Sequence, residues 1–355
     1  MQKELFSAID ASINRAMEGI RVCEDVLRFS FRQGIFSARL KETRHRMRKE
    51  AAVFPLNGLL SSRDVAGDDQ KFFDLESEKK RGSLFDVLRA NFRRSIEAVR
   101  ALEELSKAAG VSPQPDFQGI RFELYALEKE VLVSFEKEKN LSLFRNALYA
   151  IIDSSFVANN EYLAVASAFI DGGVSILQLR MKGASSRDLL AVGHECAALC
   201  RERGVLFIIN DRPDIACLAG AHGVHLGQDD IPPSEARKIL PSDMITGLST
   251  HSLQQAVEAT AQDPDYIAIG PLFDTSTKNG ELVRGIGTAV ISDIKSRVDL
   301  PLVAIGGITR DNAGQVMAAG ADACAVISFL YSGGRFAENC RALVNSFSGR
   351  RNDDD

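Results

Sequence analysis

The chain has 355 residues, of which 45% are hydrophobic and 26% charged, with a formal net charge of −5; this is the length of about two ordinary domains and a globular composition. No lysine- or arginine-rich tract stands clear of acidic neighbours, which argues against a nucleic-acid-binding surface, and no run of 18 apolar residues exists to span a membrane. The opening MQKELFSAID has no apolar signal-peptide core, and Cys23, Cys196, Cys200, Cys217, Cys324 and Cys340 form no CxxC pair, so neither a zinc site nor a disulfide framework is expected and a reducing cytoplasm is the expected setting.

Charge is not spread evenly. More than half of the lysines and arginines fall in the first 140 residues, which read as helix, whereas the remainder is richer in Gly, Val and Ile. The shift puts a boundary near Lys137–Ser142, between an all-α domain over residues 1–140 and a second domain over 145–348. The first part contains an internal repeat. Ala11–Asp25 (ASINRAMEGIRVCED) and Ala90–Glu104 (ANFRRSIEAVRALEE) align Arg15 with Arg94, Glu18 with Glu97, Arg21 with Arg100 and Glu24 with Glu103. Steps of three place these charges on one helical face as i,i+3 pairs. Further helices are predicted at 38–53 and 120–135, giving two similar halves of a pseudo-symmetric bundle, with SSRDVAGDD (61–69) as a polar loop between them. The ladder reads either as a solvated, ion-paired helix face or as an anion-binding feature, because the arginine fork bonds phosphate oxygens in pairs. No GxxxxGK[ST] loop occurs, which excludes a P-loop.

From residue 148 the grammar changes. Short β-rich runs recur at 148–153, 175–180, 206–211, 223–227, 244–249, 266–271, 301–307 and 323–328, with helical stretches between most of them, such as 162–170, 186–203, 233–240, 253–260 and 312–319. Unbroken Val/Ile/Leu runs suit strands buried on both faces of a parallel sheet. Eight strand–helix alternations predict an α/β fold, a closed (β/α)8 TIM barrel preceded by the all-α domain. An open doubly wound sheet is the structural alternative, although no GxGxxG turn follows the first strand.

The active site of such a barrel lies at the C-terminal ends of its strands, and the polar residues collect there. Gln178, Arg180 and Lys182 alternate at the end of strand two and so face one way. Asn210-Asp211 end strand three, Gly227 to Asp230 extend strand four, Ser249 ends strand five with His251 beyond, and Asp274 to Lys278 follow strand six. Arg180, Lys182 and Lys278 are cations suited to phosphate oxygens. Asp211 and Asp230 are carboxylates on neighbouring strands, of the kind Mg2+ uses together with substrate phosphates. Gly306-Gly307 and Ile327-Ser328 occupy the last two loops, where barrels usually hold a phosphate monoester and where Gly lets backbone N–H groups approach it. Each residue has a duller reading alone: strand-end polarity for Gln178, Arg180 and Lys182, helix capping for Asp211 or Asp230, and loop chemistry for Thr275 and Thr277. His225 reads as a packed core histidine, His251 is open, and Cys196 and Cys200 read as buried helix positions. The set favours a site for two phosphorylated ligands, a diphosphate with metal and a monophosphate.

The stretches Gln178–Lys182, Ile209–Asp211, Gly223–Asp230, Gly247–His251, Ile269–Lys278 and Ala304–Ile308 together resemble the thiamine-phosphate synthases over about residues 148–330. The resemblance implies joining hydroxymethylpyrimidine diphosphate to thiazole phosphate, with release of pyrophosphate. It implies that Gln178, Arg180, Lys182, Asn210, Ser249 and Lys278 hold the pyrimidine diphosphate. Asp211 and Asp230 then bind Mg2+, and Thr275, Thr277, Gly307, Ile327 and Ser328 hold the thiazole phosphate. Asp230 is preferred over its neighbour Asp229. The first domain, through Asn14–Arg21, Glu24-Asp25, Ser62–Asp64 and Ala90–Glu104, resembles a helical domain fused ahead of such synthases and assigned as a hydroxymethylpyrimidine phosphate kinase. ATP would be its co-substrate, and its product would feed the barrel. A thiazole isomerase, a non-catalytic thiazole-phosphate sensor and, for the helical domain, a structural or dimerising role stay open, as does a homo-oligomer.

Overall fold

The computed structural model describes residues 2–63, 81–157, 161–275 and 282–347. The chain divides into two compact units, Met1–Val133 and Ser134–Asp355.

The first unit is helical. Helix α1 (Gln2–Asp25) runs into a π-helical turn at Val26–Ser30, followed by α2 (Gly34–Ala51), α3 (Leu56–Ser62), α4 (Leu84–Ala108) and α5 (Phe117–Ser142), whose last residues belong to the second unit. Ser83 starts α4 by accepting the Asp86 N–H on its hydroxyl, a cap that satisfies one of the orphan donors of a helix start. Leu88, Phe92, Ile96, Val99 and Leu102 recur at three- and four-residue steps and bury the face of α4. They pack on Ile9, Ala16, Ile20 and Cys23 of α1. Both helices predicted at 38–53 and 120–135 exist but start earlier; Asp116 takes the Gly119 N–H (2.9 Å) and so sets the start of α5 at Phe117. Within SSRDVAGDD, Ser61 and Ser62 end helix α3 instead of opening a loop, while Asp64 to Asp69 lie outside the described residues.

The Arg/Glu ladder is not wholly a solvated face. Glu24 and Glu103 are buried. Glu24 takes Arg21 of its own helix (3.3 Å) and Arg44 of α2 (2.9 Å). Glu103 takes Arg100 of its own helix (3.1 Å) and Arg121 of α5 (2.7 Å). The two aligned glutamates therefore occupy matching settings, each clamped by one arginine in the same helix and one from another. At Glu103 burial raises the carboxyl pKa, but the bonds from Arg121 and Arg100 outweigh it and the net direction is down. A depressed folded-state pKa gives stability that is present above the unfolded value near 4.3 and lost as pH falls through the folded one. Glu103→Gln, less stable than wild type at neutral pH, is accordingly expected to lose less stability than wild type on titration from about pH 5 to about pH 3, read as the shift in urea midpoint. Equal losses in both proteins would remove Glu103 from the acid response.

The second unit is a closed barrel of eight parallel strands, in the order β1-β2-β3-β4-β5-β6-β7-β8 with β8 paired back onto β1. The strands are β1 (Ala147–Asp153), β2 (Ile176–Arg180), β3 (Leu206–Asn210), β4 (Gly223–Leu226), β5 (Ile245–Thr250), β6 (Tyr266–Ile269), β7 (Leu302–Ile305) and β8 (Ala323–Val326). One helix follows each: α6 (Tyr162–Asp171), α7 (Ser186–Arg203), α8 (Pro213–Ala219), α9 (Pro233–Ala236), α10 (Leu253–Ala259), α11 (Ala289–Lys295), α12 (Ala313–Ala318) and α13 (Phe336–Phe347). All eight strands lie where the sequence places them, and the open-sheet alternative is excluded by the β1–β8 pairing. Helix α9 stops four residues short of the expected 240, where the chain goes over to three-residue bonds, Lys238 N–H to the Glu235 carbonyl and Ile239 N–H to the Ala236 carbonyl (3.1 Å each).

Alternation along the strands builds two cores. Leu148, Ile152, Leu177, Leu179, Phe207 and Val224 face the helices. Tyr149, Ile151, Ile176, Ile208, Tyr266 and Val303 fill the barrel interior, and Phe144 packs beneath the two tyrosines with ring centroids 4.7 Å from Tyr266 and 6.4 Å from Tyr149. Gly247 makes room for that filling: a Cβ there would lie 2.0 Å from Tyr266 Cζ. All six cysteines are free thiols; Cys23, Cys196, Cys200, Cys324 and Cys340 are buried and Cys217 is partly exposed. Burial pushes Cys196, Cys200, Cys324 and Cys340 up to about 12. Among the described residues no helix is long and apolar enough to cross a membrane.

Candidate active site

The C-terminal ends of the strands open onto a cavity of about 680 Å3, a size that holds small organic ligands. Strand β2 sends Gln178 and Arg180 into it, in the alternation that the sequence predicts, and Lys182 joins them from the turn two residues beyond the strand. Asn210 and Asp211 after β3, Asp230 after β4 and Ser249 of β5 join them. Thr275, Gly307, Ile327 and Ser328 line the other side. Of the sequence-derived set, Thr277 and Lys278 lie outside the described residues. The flanking Thr275 and Val283 pair in an antiparallel bridge (3.0 and 2.8 Å).

The backbone aims several of these groups. Asp211 sits at φ +64°, a left-handed conformation that Asp tolerates better than most residues and that turns its carboxylate back towards the cavity. Lys182 Nζ lies 3.5 Å from Asp211 Oδ2. Asp230 bonds the Gly227 N–H with Oδ2 (2.6 Å), closing the turn after β4. Burial and the neighbouring Asp230 carboxyl raise Asp211 above the usual carboxylate range, against the lowering pull of Lys182. The acid of the Asp229-Asp230 pair that approaches Asp211 is thus Asp230. Two oxygen-donor carboxylates with a flanking lysine suit a hard divalent cation shared with a phosphate ligand. Among the described residues no group of three or more His, Cys, Asp or Glu could by itself hold a metal ion.

Gly306 (φ +99°) and Gly307 (φ +66°) form the turn after β7. A Cβ on Gly307 would lie 2.7 Å from Phe273 Cβ and 2.8 Å from the Asp274 carbonyl, so this loop is closed to other side chains. After β8, Ile327 leads into a short helical turn at Ser328–Gly334 without a side-chain cap, leaving the first N–H groups for an acceptor from outside the turn.

A family model described as thiamine monophosphate synthase matches residues 148–330. The chain is 34% identical over 330 residues to a thiamine-phosphate synthase of Nostoc sp. (strain PCC 7120), a match that covers 93% of this chain and 90% of that one. The chain belongs to the thiamine monophosphate synthase family. Like its relatives, this family member is a transferase of thiamine biosynthesis. A second thiamine-phosphate synthase, from Prochlorococcus marinus, is 36% identical over 321 residues, covering 90% of each chain. The solved thiamine phosphate pyrophosphorylase from Pyrococcus furiosus aligns with 57% of this chain and 96% of its own, at 32% identity and a TM-score of 0.52. Residues 7–130 match the ThiD2 family.

In and beside the synthase site stand one residue that sequence reasoning passed over, Asp153, and two histidines that it read as core or left open. Asp153, the buried end of β1, pairs with Arg180 across the β1–β2 register. Its other oxygen takes the Ser155 N–H (2.9 Å) and hydroxyl (2.7 Å). His225 is not a sealed core histidine: it is half-buried and lines the cavity. His251 lines it too, with Nδ1 2.6 Å from the Gly270 carbonyl oxygen. The available signals were a strand-terminal acid at Asp153 and, at His225, two-residue spacing from Gly227.

Proposed function

We propose that the barrel, over about residues 145–348, condenses 4-amino-2-methyl-5-hydroxymethylpyrimidine diphosphate with thiazole phosphate, giving thiamine phosphate and pyrophosphate with Mg2+. The observation that carries this reading is the convergence, in one cavity, of Arg180 and Lys182 with the facing carboxylates Asp211 and Asp230. The printed function of the relatives supports it. Asp211 and Asp230 would hold Mg2+ together with the diphosphate. Bound there, the ion supplies charge neutralisation for the departing pyrophosphate.

The chain's own residues do the rest by position and charge. Arg180, kept in place by Asp153, still has guanidinium N–H groups to offer the diphosphate. Lys182 adds a second cation, and in this reading Lys278 a third. Asn210, Gln178 and Ser249 orient the pyrimidine, while Thr275, Thr277, Gly307, Ile327 and Ser328 hold the thiazole phosphate. The 4-amino group pushes electrons towards the exocyclic CH2 as its C–O bond to the diphosphate breaks. The thiazole nitrogen then supplies the pair for the new C–N bond. No protein nucleophile is required. Gly307→Ala is expected to raise KM for thiazole phosphate about tenfold, a loss of roughly 1.4 kcal/mol, with KM for the pyrimidine diphosphate unchanged. Equal rises in both would remove Gly307 from the monophosphate pocket.

The helical unit, over about residues 1–140, is assigned the ATP-dependent phosphorylation of the pyrimidine monophosphate, supported by the ThiD2 match and by the chemical continuity of product and substrate. A cytoplasmic setting accords with six unpaired thiols. Pyrophosphate release by the full chain tests both assignments. With Mg2+, thiazole phosphate and the pyrimidine diphosphate, release supports the barrel reaction. Release from the monophosphate plus ATP supports the kinase. No release from either mixture overturns the reading in favour of a thiazole-phosphate sensor.

A further inference from the structure

Four hydrogen bonds join five side chains through the barrel interior. Gln178 Nε2 donates to the Tyr149 hydroxyl (2.8 Å), and the Tyr149 and Tyr266 hydroxyls lie 3.0 Å apart. The Tyr266 hydroxyl is 2.9 Å from His225 Nδ1, and His225 Nε2 is 2.8 Å from Ser249 Oγ. The direction of each bond follows from the first. A buried phenol needs an acceptor for its proton. The Tyr149 oxygen already takes the Gln178 amide hydrogen, so the acceptor for its own proton is the Tyr266 oxygen. Tyr266 in turn gives its proton to His225 Nδ1. A neutral imidazole that accepts at Nδ1 carries its hydrogen on Nε2, and this hydrogen goes to Ser249 Oγ. The Ser249 hydroxyl proton is then left to the cavity. At the opposite end, Gln178 spends its nitrogen on Tyr149 and leaves Oε1 to the cavity, which both Gln178 and Ser249 line. Burial pushes both phenols upward, so neither ionises near neutral pH to reverse the chain.

We propose that Tyr149, Tyr266 and His225 are positioning residues that lock the polarity of this chain, so that the site presents an acceptor at Gln178 and a donor at Ser249. The proposal rests on, and deepens, the reading of the cavity as a pyrimidine-diphosphate site. It names the feature selected: a ring that bears both an amino N–H and an unprotonated nitrogen. The 4-oxo counterpart replaces the amino donor with a carbonyl acceptor and puts a hydrogen on the ring nitrogen, reversing both groups. Its size is nearly the same, so beyond its weaker electron push it is refused by hydrogen-bond polarity, and only the change of the amino/oxo ratio between wild type and variant reads that part.

The test compares kcat/KM for pyrophosphate release from the 4-amino and 4-oxo pyrimidine diphosphates, in wild type, Tyr149→Phe and Tyr266→Phe. Wild type is expected to prefer the amino substrate by on the order of 1,000-fold or more, as sites built around hydrogen bonds do. Each Phe variant removes one oxygen from the relay and is expected to lose at least about tenfold of that preference. A packing role alone would lower both rates together, so an unchanged ratio in both variants overturns the proposal. The 15N shifts of His225 in selectively labelled wild-type protein give a second readout, independent of any variant's folding. An Nε2–H tautomer supports the relay and an Nδ1–H tautomer overturns it. If wild type releases no pyrophosphate from the amino substrate, the substrate reading fails, and the tautomer still decides the chain's polarity.

Discussion

Asp211→Asn is expected to lower kcat for pyrophosphate release on the order of a thousandfold, with Tm within about 2 °C of wild type. The residue is the point at which backbone and charge meet: φ is +64°, Lys182 lies 3.5 Å away, and the Asp230 carboxyl faces it. Asn is the informative replacement because it tolerates the same left-handed backbone and keeps the side-chain shape, while it removes the charge and one anionic oxygen. Losing a carboxylate from a like-charged pair relieves the repulsion between Asp211 and Asp230, which is why stability should hold while turnover collapses. Asp211→Ala should match it in activity but cost more stability through the backbone. Wild-type rates in Asp211→Asn at limiting Mg2+ would remove Asp211 from the metal site. A large fall in Tm would instead make it a structural residue of the β3 turn.

The second large effect is expected at Asp153. Its carboxylate is buried and paired with Arg180, whose own side chain is only 14% exposed. Removing one partner of such a pair leaves a buried charge without compensation and costs about 3–5 kcal/mol. Asp153→Ala should therefore lower Tm by roughly 10 °C. It should also raise KM for the pyrimidine diphosphate, because Arg180 loses its fixed position. The double variant Asp153→Ala/Arg180→Met removes both charges and is expected to recover most of the stability but none of the activity. Thermal melts of the three proteins check the first statement, and initial rates the second. A single variant as stable as wild type would show that Arg180 is effectively hydrated by the cavity.

The contrast between Asp211 and Asp153 shows what a sequence of this kind discloses. The eight strands were legible because a parallel barrel buries both faces of each strand, which leaves unbroken apolar runs bounded by turns. Asp211 and the Gln178–Lys182 alternation were legible because polar groups stand out at the ends of those runs. Asp153 also ends an apolar run, ALYAIID, but its partner is 27 residues away and is supplied by β-sheet register. The two tyrosines are 117 residues apart and meet only because the barrel closes. In the helical unit, three-residue spacing found the Arg21–Glu24 and Arg100–Glu103 pairs. It gave no sign that Arg44 and Arg121 would arrive from other helices and bury Glu24 and Glu103, while Arg15, Glu18 and Arg21 and their counterparts Arg94, Glu97 and Arg100 stay exposed.

The distribution of thiols has a practical consequence. Thiolate is the form that attacks electrophiles, and five of the six cysteines are sealed inside the fold. Cys217, near the end of α8, is partly exposed, although its thiol bonds the Ile239 carbonyl oxygen (3.6 Å) and burial raises its pKa. The unmodified chain is therefore expected to take a single maleimide label, slowly and at elevated pH, away from the strand tips.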